Sequence, residues 1–144
     1  MDEIPMLAGL SDADKALIAG RLRRADYHAG ELVIRQGDTD RSLFIVAKGT
    51  TSMRIDVAGK DRQVRLASYS RGTVFGEMAL LDRQPRSATV TADDDVVCYV
   101  LGEDDFNALI AERPLIAVHL LANLARELSS RLRRATRMIS ELER

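Results

Sequence analysis

The chain has 144 residues, of which 46% are hydrophobic and 30% charged, and its formal net charge is −1. This composition is typical of a soluble, single-domain globular protein and gives no electrostatic reason to expect a nucleic-acid or membrane partner. The single cysteine, Cys98, excludes an internal disulfide and a thiolate metal cluster, and the two histidines share no metal-binding spacing. Because the sequence also lacks a spanning apolar run and a signal-peptide pattern, we expect a cytoplasmic protein that is not an enzyme.

The first 25 residues predict an N-terminal helical segment. Leucine and isoleucine recur from Leu7 to Leu22 at an amphipathic spacing. Ser11 followed by Asp14 has the pattern of an N-cap with an acidic first turn.

Residues 30–101 predict a β region. Short segments rich in Val, Ile, Thr and Tyr, several of them alternating apolar with polar residues, are separated by turns that contain glycine. This spacing favours a compact antiparallel sandwich or roll. The predicted strands are Glu31–Arg35, Ser42–Lys48, Thr51–Val57, Gln63–Tyr69, Ser87–Ala92 and Val96–Leu101.

Residues 103–142 predict two helices. Glu103–Ile110 is the first, and Pro114 suits the first position of the second, which meets no glycine or proline before Leu142. Apolar residues of the long helix repeat with a heptad period, which predicts packing on the β region, a homodimeric coiled coil, or each along a different half. The two seam positions hold Val118, Ala125, Leu132 and Ile139, and Leu121, Leu128, Ala135 and Leu142.

Arginine is frequent toward the end of the long helix. Glu127, Glu141 and Glu143 interrupt the run, and no aromatic residue accompanies it for base stacking. We therefore expect a solvated helix face and no nucleic-acid partner. The arginines are Arg126, Arg131, Arg133, Arg134, Arg137 and Arg144.

One stretch carries chemistry: residues 75–91 read FGEMALLDRQPRSATVT. Gly76 permits close approach of the backbone to a ligand, and the free N–H groups of a short helix after it suit a phosphate. Glu77 suits a ribose hydroxyl, Arg86 suits two phosphate oxygens, and Ser87 adds a hydroxyl. These residues predict a pocket for a sugar phosphate with an available hydroxyl. The alternative is a structural ion pair between Glu77 and Arg86 without a ligand.

Residues 75–91 resemble the phosphate-binding cassette of cyclic nucleotide-binding domains, the family of catabolite activator proteins, protein kinase A regulatory subunits and cyclic nucleotide-gated channels. The family pattern of Phe-Gly-Glu, a hydrophobic residue, Ala-Leu, Pro-Arg, a small residue, Ala and Thr or Ser is complete here. The resemblance extends upstream to Gly30-Glu31 and Gly37-Asp38 and downstream to the last two helices. It implies a single domain over residues 1–144 of the α+β class. The expected fold is an antiparallel, jelly-roll-like β-roll with a short cassette helix, an N-terminal helix and a long C-terminal helix.

The resemblance also implies roles for individual residues. Glu77 is expected to bind the ribose 2′-hydroxyl and Arg86 the cyclic phosphate, with cAMP favoured over cGMP as the ligand. The long helix is expected to cover the base, with Arg131 as the predicted contact among the candidates Asn123, Arg126, Glu127, Ser130 and Arg131. The other expected ligand-binding residues are Val74, Phe75, Gly76, Met78, Ala79, Ser87 and Ala88.

The predicted function is a sensing or regulatory module whose C-terminal helix moves when the ligand binds. One alternative is the sensor half of a transcription regulator of the catabolite-activator type that lacks its helix-turn-helix. Another is a degenerate, non-binding domain that acts as a dimerisation module. The expected partners are the cyclic nucleotide, a second copy through the C-terminal helix, and a fused transporter or enzyme domain in a longer polypeptide. A phosphodiesterase would need a metal cluster or a placed acid–base pair, and the sequence offers no such set.

Overall fold

The N-terminal helix and its cap form as the sequence predicts. The computed structural model describes residues 4–56 and 63–143. A 3-10 turn at Pro5–Leu7 precedes helix α1, Asp12–Ala19. The Ser11 hydroxyl oxygen accepts the backbone N–H of Asp14 at 3.1 Å, which confirms the predicted N-cap.

The prediction that residues 1–25 are helical is wrong at its end. The helix ends at Ala19, and Arg23–Tyr27 forms strand β1, which pairs antiparallel with the last strand of the chain. Only Ala25 and Tyr27 of this strand pack against the core between the sheets. Charged residues occupy the other three positions, so the alternation that marks a strand is nearly invisible in the sequence.

Within residues 4–56 and 63–143, eight strands form two four-stranded antiparallel sheets, in the orders β1-β8-β3-β6 and β2-β7-β4-β5. The predicted antiparallel roll is thereby confirmed. The sequence missed the two-residue strand β6, and Val57 of the predicted strand Thr51–Val57 lies outside the described residues. The remaining strands are β2 Leu32–Ile34, β3 Leu43–Lys48, β4 Thr51–Asp56, β5 Gln63–Tyr69, β6 Val74–Phe75, β7 Thr89–Ala92 and β8 Val96–Leu101.

Three further helices follow the predicted order. Helix α2, Glu77–Asp82, lies in the loop between β6 and β7, and α3, Glu103–Glu112, follows β8. Helix α4, Pro114–Leu142, begins and ends at the residues that the sequence predicted. Within residues 4–56 and 63–143, none of the helices is long and apolar enough to cross a membrane.

Two hydrophobic clusters hold these layers together. One lies between the two sheets and includes Phe44, Phe75 and Cys98. The other lies under the helices and includes Met6 and Leu120. Cys98 is completely buried, and burial raises the pKa of its thiol to about 11, so this cysteine is a packed, unreactive residue.

Helix α4 uses one face for its own domain and leaves another face open. Its buried residues lie in its first half, where the Asn123 side-chain amide also donates hydrogen bonds to the carbonyl oxygens of Met6 (2.8 Å) and Ala8 (2.9 Å). Of the predicted seam, Leu121 is partly buried against the core under the helices, whereas Leu132 is 68% exposed and Ile139 is 59% exposed. The first half of α4 is therefore anchored to the domain, while the seam is uncovered at Leu132 and Ile139.

Candidate functional site

The turn between β6 and α2 requires glycine on two grounds. Gly76 has φ of +76°, a left-handed conformation that side chains rarely adopt. A Cβ atom there would lie 2.9 Å from Nη1 of Arg86 and 3.3 Å from a ring carbon of Phe44. The sequence predicted that Gly76 lets the backbone come close to a ligand. In this structure, the group that lies close to the Gly76 backbone is the Arg86 guanidinium.

Arg86 lies almost entirely inside the protein. Its Nη1 donates a hydrogen bond to the carbonyl oxygen of Gly76 at 2.6 Å, and its Nη2 donates to Ser42 O at 2.6 Å and to the Asp40 carboxylate at 2.8 Å. Its Cζ atom lies 5.8 Å from the centroid of the Phe44 ring. The Nε–H is buried and has no hydrogen-bond partner among the described residues, so three of the five guanidinium N–H donors are engaged there.

Asp40 forms the solvent side of this arrangement. Its side chain is about half exposed, whereas the side chain of Arg86 is 4% exposed. Partial burial alone would raise the pKa of the Asp40 carboxyl, but the hydrogen bond and the charge of Arg86 lower it overall. Asp40 therefore stays ionised and keeps the guanidinium paired. The sequence analysis did not identify this residue, because it lies 46 positions from its partner.

Glu77 is the second buried ionic group of the site. Its Oε1 accepts a hydrogen bond from Nη1 of Arg131 at 2.8 Å, which ties the first residue of α2 to the second half of α4. Arg131 also donates to the carbonyl oxygen of Val74 at 2.5 Å, and its Cζ lies 5.6 Å from the Tyr69 ring centroid. The pair that forms is thus Glu77–Arg131, and the alternative of a structural Glu77–Arg86 ion pair is wrong.

These groups surround one cavity of about 400 Å³, within the usual range for small-molecule sites. The segment between β6 and β7 forms one wall, and α4 forms the other with Leu128, Arg131 and Leu132. The two walls bring together nine of the ten residues predicted to bind the ligand. Those nine are Phe75, Gly76, Glu77, Met78, Ala79, Arg86, Ser87, Ala88 and Arg131.

The remaining candidates lie elsewhere. Val74 does not line the cavity, although its carbonyl oxygen holds Arg131. Asn123 is buried against the N-terminal turn, and Arg126 donates to the Asn123 side chain. Glu127 and Ser130 do not line the cavity either. Among the α4 candidates, the structure therefore brings only Arg131 to the site.

The sequence analysis missed several lining residues, among them Tyr69, Leu128 and Leu132. Leu128 lies three residues before Arg131, and Leu132 lies one residue after it. Residues three apart share a helix face, so a helical wheel centred on Arg131 would have identified Leu128. Nothing local in the sequence marks Tyr69. The other missed lining residues are Ile34, Met53, Asp82, Gln84, Pro85 and Val90.

The donor set of the cavity fits a cyclic nucleotide. The unpartnered Nε–H of Arg86 is a charged donor of the kind that binds a phosphate oxygen. The Arg131 hydrogen bond reaches only Oε1 of Glu77, which leaves Oε2 as an acceptor for a hydroxyl. Ile34, Met53 and Val90 supply the apolar surface that a purine base needs.

The fold and this site define a class of protein. The family model described as "Cyclic nucleotide-binding domain" matches residues 24–113. The chain belongs to the cyclic nucleotide-binding domain family.

Similar proteins fall into two groups by name. The "Cyclic AMP receptor protein" of Thermus thermophilus is 37% identical over 86% of this chain and 57% of its own length. The solved Thermus thermophilus catabolite activator protein matches with a TM-score of 0.82 and 34% identity, over 96% of this chain and 63% of that chain. The "cAMP-dependent protein kinase regulatory subunit" of Emericella nidulans is 36% identical over 76% of this chain and 26% of its own length.

One solved neighbour carries a different ligand. It is the regulatory subunit of a cAMP-independent protein kinase A from Trypanosoma cruzi bound to guanosine, with a TM-score of 0.70 and 25% identity, over 81% of this chain and 40% of that chain. The chain spans little more than half of the Thermus relative and about a quarter of the Emericella relative.

Proposed function

We propose that this chain is a regulatory module, without catalytic activity, that senses a cyclic nucleotide in the cavity between the β-roll and α4. One observation carries the proposal: Glu77 and Arg86 are 4% and 6% exposed and line the same cavity, and neither Glu77 Oε2 nor Arg86 Nε–H makes a hydrogen bond within the described residues. Burying two charged groups is costly unless something offsets the loss of hydration. A ligand with a hydroxyl and a phosphate would use both.

The residue roles follow from this arrangement. Arg86 binds the cyclic phosphate through its free Nε–H, and Glu77 accepts the ribose 2′-hydroxyl. Gly76, Ala79, Ser87 and Ala88 line the phosphate side, where backbone N–H groups add donors. The ligand-binding set proposed from the sequence is kept, with Val74 acting through its carbonyl contact to Arg131.

We favour cAMP over cGMP as the ligand. The Thermus and Emericella relatives, both above 35% identity, are named for cAMP. The guanosine-bound neighbour is less similar, at 25% identity, and its ligand is a nucleoside without a phosphate group. The names of these relatives, a receptor and regulatory subunits, also support a non-enzymatic role.

Ligand binding would act through α4. A nucleotide held by the β-roll wall favours the position of α4 that covers the base, which is a shift between conformational populations. The uncovered seam lies on the same helix. A change in the position of α4 would therefore alter the geometry of a homodimer through α4, or the placement of a further domain in a longer polypeptide. The exposure of Leu132 and Ile139 supports the dimer.

A second candidate function is a dimerisation module that has lost its ligand. The observation that favours it is that both charged groups already have hydrogen-bond partners inside the protein. Arg86 has three such partners, and Glu77 pairs with Arg131. In this case the buried charges are structural and the seam of α4 carries the function.

Calorimetric titration separates the two candidates. The protein, freed of carried-over nucleotide by unfolding and refolding, is titrated with cAMP and then with cGMP. We expect micromolar or tighter binding of cAMP, weaker binding of cGMP, and a loss of roughly 10- to 150-fold in Glu77→Gln, the range for a charge-assisted hydrogen bond. Glu103→Gln is the matched control, because Glu103 is also paired with an arginine, Arg41, but lies outside the cavity.

The control should bind like the wild type. Absence of heat with both nucleotides, together with no thermal shift, would overturn the sensor and favour the dimerisation module. Equal affinities of Glu77→Gln and the wild type would overturn the role of Glu77.

A further inference from the structure

Three aromatic rings stack in a row beside the cavity. The Tyr69 and Phe75 ring centroids are 5.2 Å apart at an interplanar angle of 7°, and those of Phe75 and Phe44 are 5.1 Å apart at 8°. Phe44 is buried in the core between the sheets, Phe75 is buried there and also lines the cavity, and Tyr69 is half-buried and lines the cavity. The row therefore begins in the core and ends at the site.

A guanidinium lies at each end of this row. Arg86 lies over Phe44, with its Cζ 5.8 Å from the ring centroid, and Arg131 lies over Tyr69 at 5.6 Å. Both distances are within the range of a cation–π contact, and the faces of aromatic rings carry negative charge density. The row thus connects the arginine of the β-roll wall to the arginine of α4.

Among the described arginines in the second half of α4, only Arg131 contacts the row of aromatic rings. Within the described residues, Arg133, Arg134 and Arg137 are exposed and form neither a hydrogen bond nor an ion pair. Arg131 has three partners: the Glu77 carboxylate, the Val74 carbonyl oxygen and the Tyr69 ring. The two hydrogen bonds hold the edge of the guanidinium that carries Nη1 and Nη2, and the Tyr69 ring lies against its face.

We propose that Tyr69 is a positioning residue, whose ring holds the Arg131 guanidinium in place so that α4 docks on the cavity and Glu77 is oriented for the ligand hydroxyl. This inference deepens the proposed function and rests on it. Tyr69 needs no contact with the nucleotide for this role, because it acts through Arg131.

The ring, rather than the hydroxyl, carries the role. The Tyr69 hydroxyl donates to the Met53 sulfur at 3.2 Å, which is a weak hydrogen bond. Burial raises the pKa of Tyr69, so the phenol stays neutral and its ring keeps the same charge distribution at physiological pH. Phenylalanine at this position should therefore serve as well, and leucine should not.

The test is a double-mutant cycle on cAMP affinity, measured by calorimetry. The variants are Tyr69→Phe, Tyr69→Leu, Arg131→Met and the double variant with Leu and Met. Tyr69→Leu should weaken binding roughly 3- to 10-fold in the wild-type background and less than about twofold in the Arg131→Met background. Tyr69→Phe should stay within about twofold of the wild type. An equal loss from Tyr69→Leu in both backgrounds would show a packing role only and overturn the proposal.

A second readout uses the protein without nucleotide. The ring current of Tyr69 should shift the NMR resonance of the Arg131 Nε–H in the wild type and in Tyr69→Phe, and the shift should vanish in Tyr69→Leu. An unchanged resonance in Tyr69→Leu would overturn the positioning role. If the wild type binds no nucleotide, the proposed function fails, while this resonance still decides whether Tyr69 holds Arg131.

Discussion

The two walls of the cavity are built in opposite ways. On the β-roll wall, the side chains of Arg86 and Glu77 are 4% and 5% exposed, and the arginine makes three hydrogen bonds to its surroundings. On the helix wall, Leu132 is 68% exposed, and among the cavity-lining residues that the structure describes only Arg131 makes a side-chain hydrogen bond to the other wall. The charged groups that would meet a ligand are therefore fixed in advance, and the cover is held by one side chain.

This difference assigns rigidity and motion to separate parts of the chain. Preorganised donors and acceptors bind without a further ordering cost. The buried residues of α4 lie in its first half, and its second half is held to the roll through Arg131, so the second half can change position without unfolding the core. The first two predictions below break one wall at a time, and the third separates two members of the fixed wall.

The largest effect is expected on the fixed wall, from Arg86→Ala. The substitution leaves the buried carbonyl oxygens of Ser42 and Gly76 without their donor. We expect the free energy of unfolding in urea to fall by about 3 kcal/mol or more, and cAMP affinity to fall roughly 10- to 150-fold. The sequence alone gave no reason to expect the loss of stability, because the internal partners of Arg86 were unknown.

Arg35→Ala is the control for this prediction. Arg35 is exposed, and its side chain makes no hydrogen bond within the described residues. The control should change the unfolding free energy by less than about 0.5 kcal/mol. An Arg86→Ala variant as stable as the wild type would contradict the fixed wall, and an unchanged affinity would contradict its phosphate role.

On the helix wall, the expected effect of a substitution is on assembly rather than on folding. Leu128 and Leu132 lie on the seam and also line the cavity, so changing them would disturb both properties. Ile139 lies on the seam beyond the cavity and is 59% exposed. Ile139→Asp should weaken the homodimer at least about tenfold, because a charge would enter an apolar interface, and light scattering should report a monomer.

Ser140→Asp places the same side chain one residue further along, off the seam. It should leave the dimer intact, and neither variant should change the unfolding free energy of the monomer by more than about 0.5 kcal/mol. A wild type that is monomeric at tens of micromolar, or a persistent dimer in Ile139→Asp, would show that the seam has another use.

The same contrast explains what the sequence could predict. The cassette from Gly76 to Ala88 is contiguous, so the glycine, the carboxylate and the arginine of the fixed wall are visible in one short motif. The bounds of α4 were equally local, since Pro114 begins the helix and nothing breaks it before Leu142. Both predictions depended on neighbours in sequence.

Contacts between distant segments were not predictable in this way. Arg131 meets Glu77 across 54 positions, and Asp40 meets Arg86 across 46. Which helix residue faces the cavity depends on how α4 packs on the roll, and the heptad pattern did not fix that angle. Strand β1 was missed for a different reason: three charged residues in five obscure its alternation, and pairing with β8 decides its conformation.

The smallest effect is expected at the solvent edge of the fixed wall, from the pH dependence of Asp40. The charge and hydrogen bond of Arg86 lower the pKa of Asp40 in the folded protein, in spite of partial burial, below the value of about 3.9 in an unfolded chain. Ionised Asp40 therefore stabilises the fold at pH values above the unfolded pKa, and this contribution is lost as the pH falls through the folded pKa. Because the Asp40 side chain is 55% exposed, we expect this contribution to the free energy of unfolding to be less than about 1 kcal/mol.

Urea unfolding between pH 6 and pH 3 measures this contribution. The wild type should be more stable than Asp40→Asn at pH 6, and this difference in unfolding free energy should shrink as the pH drops or as salt is added at pH 6. Parallel curves for the two proteins would mean that Arg86 is held by its carbonyl partners alone, so that the rigidity of this wall would come from the backbone of Ser42 and Gly76 rather than from an ion pair.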